Sequence, residues 1–481
     1  MTSAVYNSLQ SIGKVGDPSW WFADAMSLEQ EFAPSTALTG TLSVDVVIVG
    51  GGYTGLWTAL ALKERRPSLS IALIEASLCG SGASGKNGGK VHGYWASLAG
   101  MAKAIGDDAA LSVARAGTVA QDAIRSFATA PGRDVWWRES GNMRVSASTA
   151  QDTKIKLMVS EARRLGVPDS AQQLTSEEVA SRCKSPVFRG GVFLPEGANL
   201  HPARLARALR KAAISAGVHL FENTPMTALD KGSINRVRVP AGEILAPEVV
   251  LATNVELAGH PQMRPYVSVF SSYALMTKPA QEQLATTGWT SNEGIADLRM
   301  FVHYFRKTPD GRVLMGSGSG PISYGGDTSL SALRLDAASA ARAERGLRRL
   351  LPALSSVDVE KSWGGAIDVS ADRLPMFRTI PGTRIHLACG YSGHGVNPTY
   401  IGAQCLASLV LREKDSWASL PLCTREVPKF PPEPFRFVGG KLIRRAIIAS
   451  EEAEELEQVP SNITRAVAAL PRILGMKIGT R

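Results

Sequence analysis

The stretch Val44-Asp45-Val46-Val47-Ile48-Val49-Gly50-Gly51-Gly52-Tyr53-Thr54-Gly55 decides the fold. Positions 44–49 are apolar apart from Asp45, the pattern of a strand buried on both faces. Glycines follow at once, and Leu56, Ala59, Leu60 and Leu62 continue as a helix. A second apolar run, Leu69 to Ile74, closes a βαβ unit and ends at Glu75, 20 positions after Gly55. GxGxxG at Gly50, Gly52 and Gly55 is weak alone, because loops collect glycine. A strand before it, a helix after it and an acidic residue at that distance make it specific. Gly50 permits the tight turn, Gly52 lets backbone approach a pyrophosphate, and Gly55 lets the helix pack closely on the strand. The helix N-terminus at Tyr53 and Thr54 offers free N–H groups and about half a positive charge to phosphates. Glu75, followed by Ala76, is placed to accept from a ribose hydroxyl. These features predict an α/β fold with a Rossmann-type dinucleotide-binding domain.

A free-standing NAD domain continues as repeated βαβ units from this point. This chain instead enters Gly80-Ser81-Gly82-Ala83-Ser84-Gly85-Lys86-Asn87-Gly88-Gly89, whose unencumbered N–H groups suit a second anionic or ring segment. Much later, a strand from Arg384 to Ala388 feeds Gly390-Tyr391-Ser392-Gly393-His394-Gly395 and a helix over 396–411. That helix is apolar all round and is expected to be buried. Its positive end would tune a flavin, which gains negative charge near N1 and O2 on reduction. Gly316-Ser317-Gly318-Ser319-Gly320 leads to Pro321 and no helix, and reads as a flexible β-edge. Without a second GxGxxG in strand–helix context, a two-nucleotide monooxygenase is disfavoured.

The 481 residues are 44% hydrophobic and 20% charged. That suits two or three packed units at roughly 100–200 residues each and rules out global disorder. Residues 1–43 are polar and irregular around Trp20, Trp21 and Phe22, and read as a helix-poor arm against the main body. Residues 106–128, 151–165 and 332–350 read as helices. So does a segment from Pro202, with Leu205, Leu209, Ala212 and Ala213 on one face and Gly217 past its end. Residues 234–254 read as a hairpin turning near Gly242 and then a buried strand, and 261–320 as β-rich. Beyond Pro421 come a Pro-rich stretch and two short helices. No apolar run reaches the ~18 residues of a membrane span, and Met1 to Lys14 lack the regions of a signal peptide. Five scattered cysteines without a CxxC pair argue against a disulfide framework or a metal site. The net charge of +10 is dispersed, a solvated surface and not a nucleic-acid footprint. A cytoplasmic protein is the expectation.

Val44–Gly55 with Glu75 is followed by Gly82–Gly89, Gly190–Pro202, Glu222-Asn223-Thr224-Pro225-Met226 and Val249–Asn254. Trp363-Gly364-Gly365, Asp372-Arg373-Leu374-Pro375 and Gly390–Val396 complete the series. In these segments and their order the chain resembles the D-amino-acid-oxidase-like family of FAD-dependent amine and amino-acid oxidoreductases. The resemblance spans about residues 20–411 and is greatest to the gamma-glutamylputrescine oxidase-like branch. It implies an FAD-binding domain drawn from 40–105, 186–260 and 360–415. A mostly antiparallel β substrate domain would come from 106–185 and 261–359, flanked by an arm at 1–39 and a C-terminal extension at 416–481. Gly50, Gly52, Gly55 and Glu75 would hold pyrophosphate and adenosine ribose, with Tyr53, Thr54 and Ala76 beside them. Gly82, Ala83, Ser84, Lys86, Asn87, Gly88 and Gly89 would line the isoalloxazine. Met226 would present backbone to adenine, Thr253 would join the cofactor set, and Gly393, His394, Gly395 and Val396 would meet the flavin pyrimidine. No cysteine matches the covalent attachment position near Gly365, so FAD is expected to be non-covalent.

Three departures bear on substrate. The carboxylate-binding arginine of relatives acting on small amino acids falls at Ile367, and the lysine of sarcosine-oxidase-like relatives at Asn397. The lysine that activates O2 in sarcosine oxidases falls near Leu314. A buried carboxylate without a cation costs several kcal/mol, so an amine lacking an α-carboxylate is the better substrate. The family chemistry transfers a hydride from the amine to flavin N5, and the imine then hydrolyses. No obligatory catalytic base is required. Pocket candidates are His303, Tyr304 and Arg306, with Tyr304 and Arg306 on one strand face and His303 on the other. A surface strand with a snorkelling Arg is the equally weighted alternative. His92 and Trp95 are similar candidates, and Trp363 reads as core. The partners expected are a small amine and either O2 or an electron carrier. N-methyl amines or amino acids are the rival substrates, and a non-catalytic flavin-binding subunit the rival function.

Overall fold

The computed structural model describes residues 18–29 and 35–473. Val46–Val49 lies inside a six-stranded sheet of order His219–Phe221, Ile71–Ile74, Val46–Val49, Glu248–Leu251, Ile385–Cys389, Met376–Thr379. The first five strands run parallel and the last antiparallel. Every residue of Val46–Val49 and Ile71–Ile74 is buried, as an uninterrupted apolar run requires when both faces are covered. Val46 and Ile48 face helices Tyr53–Arg65, Asp107–Ala128, Pro202–Ser215 and Pro398–Leu411. Val47 and Val49 face Val237 and Ile244 of a small four-stranded sheet. Pro398–Leu411 is enclosed on nearly every side, which its uniform apolarity anticipates.

An eight-stranded sheet has the order Val359–Ser370, Val267–Thr277, Val313–Ser317, His303–Lys307, Gly294–Asp297, Asn142–Ser146, Gly190–Leu194, Gln172–Leu174. All neighbours are antiparallel except Gly294–Asp297 with Asn142–Ser146. The period of two divides its faces. Met143, Val145, Phe305, Val313 and Met315 pack with Leu347 and Leu350 of helix Ala337–Leu350, each fully buried side chain contributing about 1.5–3 kcal/mol. Arg144, Tyr304, Arg306 and Leu314 alternate with them and point the other way. There Leu314 and Tyr304 meet Trp21 and Trp363.

Several expectations need correction. The arm contains a helix, Trp20–Ser27, capped by Ser19 and buried through Trp20, Trp21 and Phe22. Aromatic packing overrides the polar flanks. Gly316 is no flexible edge: Val313–Ser317 is an interior strand with all five residues buried. Its glycine is explained by Tyr304, whose Cζ would stand 2.0 Å from a Cβ at 316. The end of the chain holds one long helix, Phe435–Glu455, before Asn462–Ile473, and the acidic run at 451 is the last turn of the long one. The expected segment boundaries also cut across the sheets. Gly190–Leu194 and Val359–Ser370, grouped with the cofactor segments, hydrogen-bond in the eight-stranded sheet. Helix Asp107–Ala128, grouped with the substrate segments, packs in the core of the parallel sheet. Among the described residues no helix is long and apolar enough to cross a membrane.

Candidate active site

The first glycine turn is tight for a physical reason. Gly50 has φ +114°, and a Cβ there would lie 2.5 Å from the Ala252 carbonyl oxygen. A Cβ on Gly55 would lie 1.9 Å from the Gly50 oxygen, so the helix can rest on the turn only as glycine. Gly52 is the N-cap of Tyr53–Arg65 and supplies no side-chain cap. Glu75 accepts the Gly51 N–H at 2.7 Å on one oxygen and the Ser77 N–H at 2.9 Å on the other. Burial nevertheless raises its pKa. Ala76 beside it is exposed.

The second glycine segment is locked onto the first. Ser84 Oγ accepts the Tyr53 N–H at 2.9 Å. Ala83–Gly85 forms a single 3-10 turn after Gly82. Asn87 clasps its own loop, donating to the Ser84 carbonyl at 2.8 Å and accepting the Gly89 N–H at 2.7 Å. The Lys86 carbonyl accepts from the Trp363 indole at 2.9 Å, while burial, helped by the Arg334 charge, lowers the Lys86 ammonium pKa. Arg306 donates to the carbonyls of Gly88 at 2.7 Å and Leu200 at 2.6 Å, with its guanidinium 4.7 Å from the Trp21 ring. Burial pushes it down to about 9. The Tyr304 ring occupies the space beside Gly88, where a Cβ would be 2.6 Å away. Tyr304 and Arg306 therefore stand on the glycine loop, and the surface-strand alternative fails.

The late glycine segment joins both. Tyr391 OH shares a 2.8 Å hydrogen bond with Thr54 Oγ1. Gly393 has φ +78°, and the next residue, His394, stacks on His92 with ring centroids 4.2 Å apart. His394 Nε2 donates to the His92 carbonyl at 2.8 Å. Burial pushes His394 down to about 4 and His92 well below its usual value, so both rings are neutral near pH 7. Gly395 faces open space and Val396 is buried.

A sequence profile described as FAD dependent oxidoreductase matches residues 45–409, a span that contains all three glycine segments. The chain belongs to that family. Gamma-glutamylputrescine oxidoreductase of Escherichia coli (strain K12) is 27% identical over 421 residues, covering 86% of this chain and 92% of the relative. Sarcosine oxidase subunit beta of Arthrobacter sp is 23% identical over 372 residues, covering 74% and 84%. The crystal structure of glycine oxidase from Geobacillus kaustophilus superposes with a TM-score of 0.65 at 21% identity, covering 80% of this chain and 99% of that one.

In this FAD-dependent oxidoreductase the remaining expected residues divide. Thr253 precedes the 3-10 turn Asn254–Gly259 that follows Glu248–Leu251, and Met226 is half-buried against the core beneath the small sheet. Trp95 turns its indole N–H to Thr118 Oγ1 and Glu196, both at 3.0 Å. His303 leaves the pocket set. It lies on the helix-facing side, its ring 2.6 Å from where a Gly346 Cβ would be, with Nδ1 3.2 Å from Asp297. Ile367 packs near Phe270, Ile322 and Phe437, Asn397 donates to the Gly117 carbonyl at 2.8 Å, and Leu314 Cδ2 is 3.3 Å from a Cβ built on Gly88. Sequence reading missed Trp21, Lys90, Arg144 and Arg373. Lys90 directly follows the glycine loop and Arg373 sits in a recognised segment, whereas Arg144 carries no local signal.

Proposed function

We propose that the chain oxidises the C–N bond of an amine, a primary amine or polyamine derivative, using non-covalent FAD. The cradle fits that group. The glycines at 50 and 55 leave no room for a Cβ and Glu75 is fixed by two backbone N–H groups, as a turn that admits a pyrophosphate and a ribose requires. Gly50, Gly52, Tyr53, Thr54, Gly55, Glu75 and Ala76 would hold the pyrophosphate and ribose, with Met226 and Thr253 towards the adenine. Gly82 to Ser84 and Lys86 to Gly89 would line the ring system, and Gly393 to Val396 its pyrimidine end. The cofactor-binding part would draw on 40–105, 186–260 and 360–415, less the strands Gly190–Leu194 and Val359–Ser370 that pair in the eight-stranded sheet and with helix Asp107–Ala128 added. FAD, when bound, supplies hydride acceptance at N5 from the carbon bearing nitrogen, leaving an imine that water hydrolyses to a carbonyl and ammonia or a smaller amine.

One observation carries the choice of an amine over a small amino acid: Ile367 is packed among apolar side chains and Asn397 spends its amide on Gly117. Neither position offers the cation that holds an α-carboxylate in related enzymes. Tyr304, Leu314 and Trp363 form a dry wall beside the glycine loop, and a dry site favours the neutral amine by lowering an ammonium pKa. The named activity of the Escherichia coli relative points the same way. All five cysteines are unpaired, which suits the cytoplasm. O2 or a carrier protein would take the electrons onward. The test is product analysis after aerobic incubation with primary amines, polyamine derivatives, N-methyl amines and D- and L-amino acids. Carbonyl product from primary amines or polyamine derivatives is the expected result. Carbonyl product from small α-amino acids alone contradicts the reading of Ile367 and Asn397.

A further inference from the structure

We infer that the amine carries a carboxylate, remote from the reacting carbon, which is received by Arg144 and Arg373. This rests on the amine-oxidising reading and narrows its donor. Arg144 is 7% exposed on the strand Asn142–Ser146, all of whose residues are buried. Its Nε has no hydrogen-bond partner among the described residues, and neither has the buried Nε of Arg373. Arg373 stands at the late glycine segment, its backbone N–H on the Ser370 carbonyl at 3.1 Å and Ser370 Oγ on the Gly390 carbonyl at 3.4 Å. Burial, helped by the Arg144 charge, pushes it down to about 9.

Three other arginines with buried side chains are partnered: Arg306 donates to two carbonyls, Arg207 pairs with Glu29 and Glu222, and Arg425 with Asp372. At Arg144 the one acidic influence among the described residues is Asp297, whose oxygens are held by the His303 backbone and ring. Lys90, also 7% exposed, adds a third positive charge and, among the described residues, reaches only the Ile295 carbonyl, at 3.4 Å. Around it Asn142 Oδ1 and Nδ2 and Asn199 Oδ1 are buried and unpartnered among the described residues. Lys90 Cε, Asn142 Oδ1 and Asn199 Oδ1 all crowd the point where a Gly294 Cβ would be, at 2.5, 2.9 and 3.0 Å.

This concentration of positive charge and unpartnered polar atoms faces the glycine loop: Ala296 is in register with both Arg144 and Tyr304, and the Tyr304 ring stands beside Gly88. A buried guanidinium is tolerable when a counter-charge arrives with the ligand, and two guanidiniums offer the forked donors that match a carboxylate. The pyrophosphate is already provided for by the Gly50–Gly55 turn. Ile367 and Asn397 leave the α position without a cation, so the carboxylate belongs further along the donor. An ω-amino acid has that form.

The test uses the FAD-loaded enzyme with glutarate as an unreactive probe, read by perturbation of the flavin's visible spectrum. Saturable perturbation is expected. Arg144→Gln and Arg373→Gln should each weaken it roughly 10- to 100-fold, and Arg144→Lys and Arg373→Lys by less. In parallel, the kcat/KM ratio of ω-aminovalerate to pentylamine should fall by a similar factor in the Gln variants, mainly through KM. FAD content and melting temperature confirm that each variant is folded, and the Lys pair serves if a Gln variant is not. Glutarate binding that survives both Gln substitutions overturns the proposal. So does an unchanged glutarate affinity with a shifted flavin potential, which would assign the arginines to the cofactor. If the arginines govern glutarate binding but no amine reduces the flavin, the carboxylate site stands and the amine-oxidising reading is what has failed.

Discussion

Gly55 shows how much can rest on one missing atom. A Cβ there would lie 1.9 Å from the Gly50 oxygen, too close for the turn and helix to coexist as they are. Gly55→Ala should destabilise the protein by about 1–3 kcal/mol and lower its retained FAD, measured by denaturant unfolding and flavin content. Glu222 is the opposite case, a side chain that cannot be removed. It is fully buried, pairs with Arg207 at 3.1 Å and Arg210 at 2.8 Å, and accepts the Cys79 N–H at 2.9 Å. Glu222→Gln removes the buried charge that pairs with Arg210 and that Arg207 shares with Glu29, and should cost about 3–5 kcal/mol in the same unfolding measurement. The strand, tight glycine turn and helix from Val46 to Arg65 were legible because the signals that make them are local. Arg144 was not, because a lone arginine in an apolar strand gains meaning only from Arg373 and Lys90, distant in sequence.

At the scale of elements, period and apolar run length were readable where a segment's surroundings are uniform. Val46–Val49 is buried throughout and Pro398–Leu411 on nearly every side, so their composition alone declares it. Gly316 and Ser317 were misread as a flexible edge because Gly316 reflects the Tyr304 ring on the neighbouring strand, and pairing between strands leaves no trace in the local residues. Phe435–Glu455 was read as a short helix at its acidic end only, since Gly439 and Gly440 weaken helix propensity before it. Packing of Ile443 and Ile447 on Phe301 holds it whole. This helix carries a pH dependence. Glu451 accepts the backbone N–H groups of Met300, at 2.6 Å, and Phe301, at 3.1 Å, and burial raises its carboxyl to about 7. A raised carboxyl pKa means the folded state prefers the proton. The contribution is full below the unfolded value and is lost as pH rises through about 7. From about pH 5 to 8 the wild type should therefore lose melting temperature relative to Glu451→Gln. Parallel melting curves would contradict this.

For the whole molecule, the C-terminal extension is part of the body that carries the site. Arg436 donates to the Arg264 and Val267 carbonyls, Arg444 to those of Ser319 and Gly320, and Phe430 and Phe437 pack against Phe270 and Ile322. Truncation after residue 427 should lower the melting temperature and expose apolar surface to a hydrophobic dye. Equal melting temperatures would show the extension to be dispensable. The larger architecture was legible only through resemblance, because an eight-stranded, mostly antiparallel sheet is assembled from pairings 82 to 152 residues apart, such as Val267–Thr277 with Val359–Ser370 and Asn142–Ser146 with Gly294–Asp297. The central claim is that amines deliver hydride to an FAD held by the three glycine segments. Its most direct test is an anaerobic titration of the yellow holoenzyme with primary amines and polyamine derivatives, followed at the flavin's visible band. Stoichiometric bleaching by at least one of them is the predicted result. A flavin that dithionite bleaches and no amine does would contradict it.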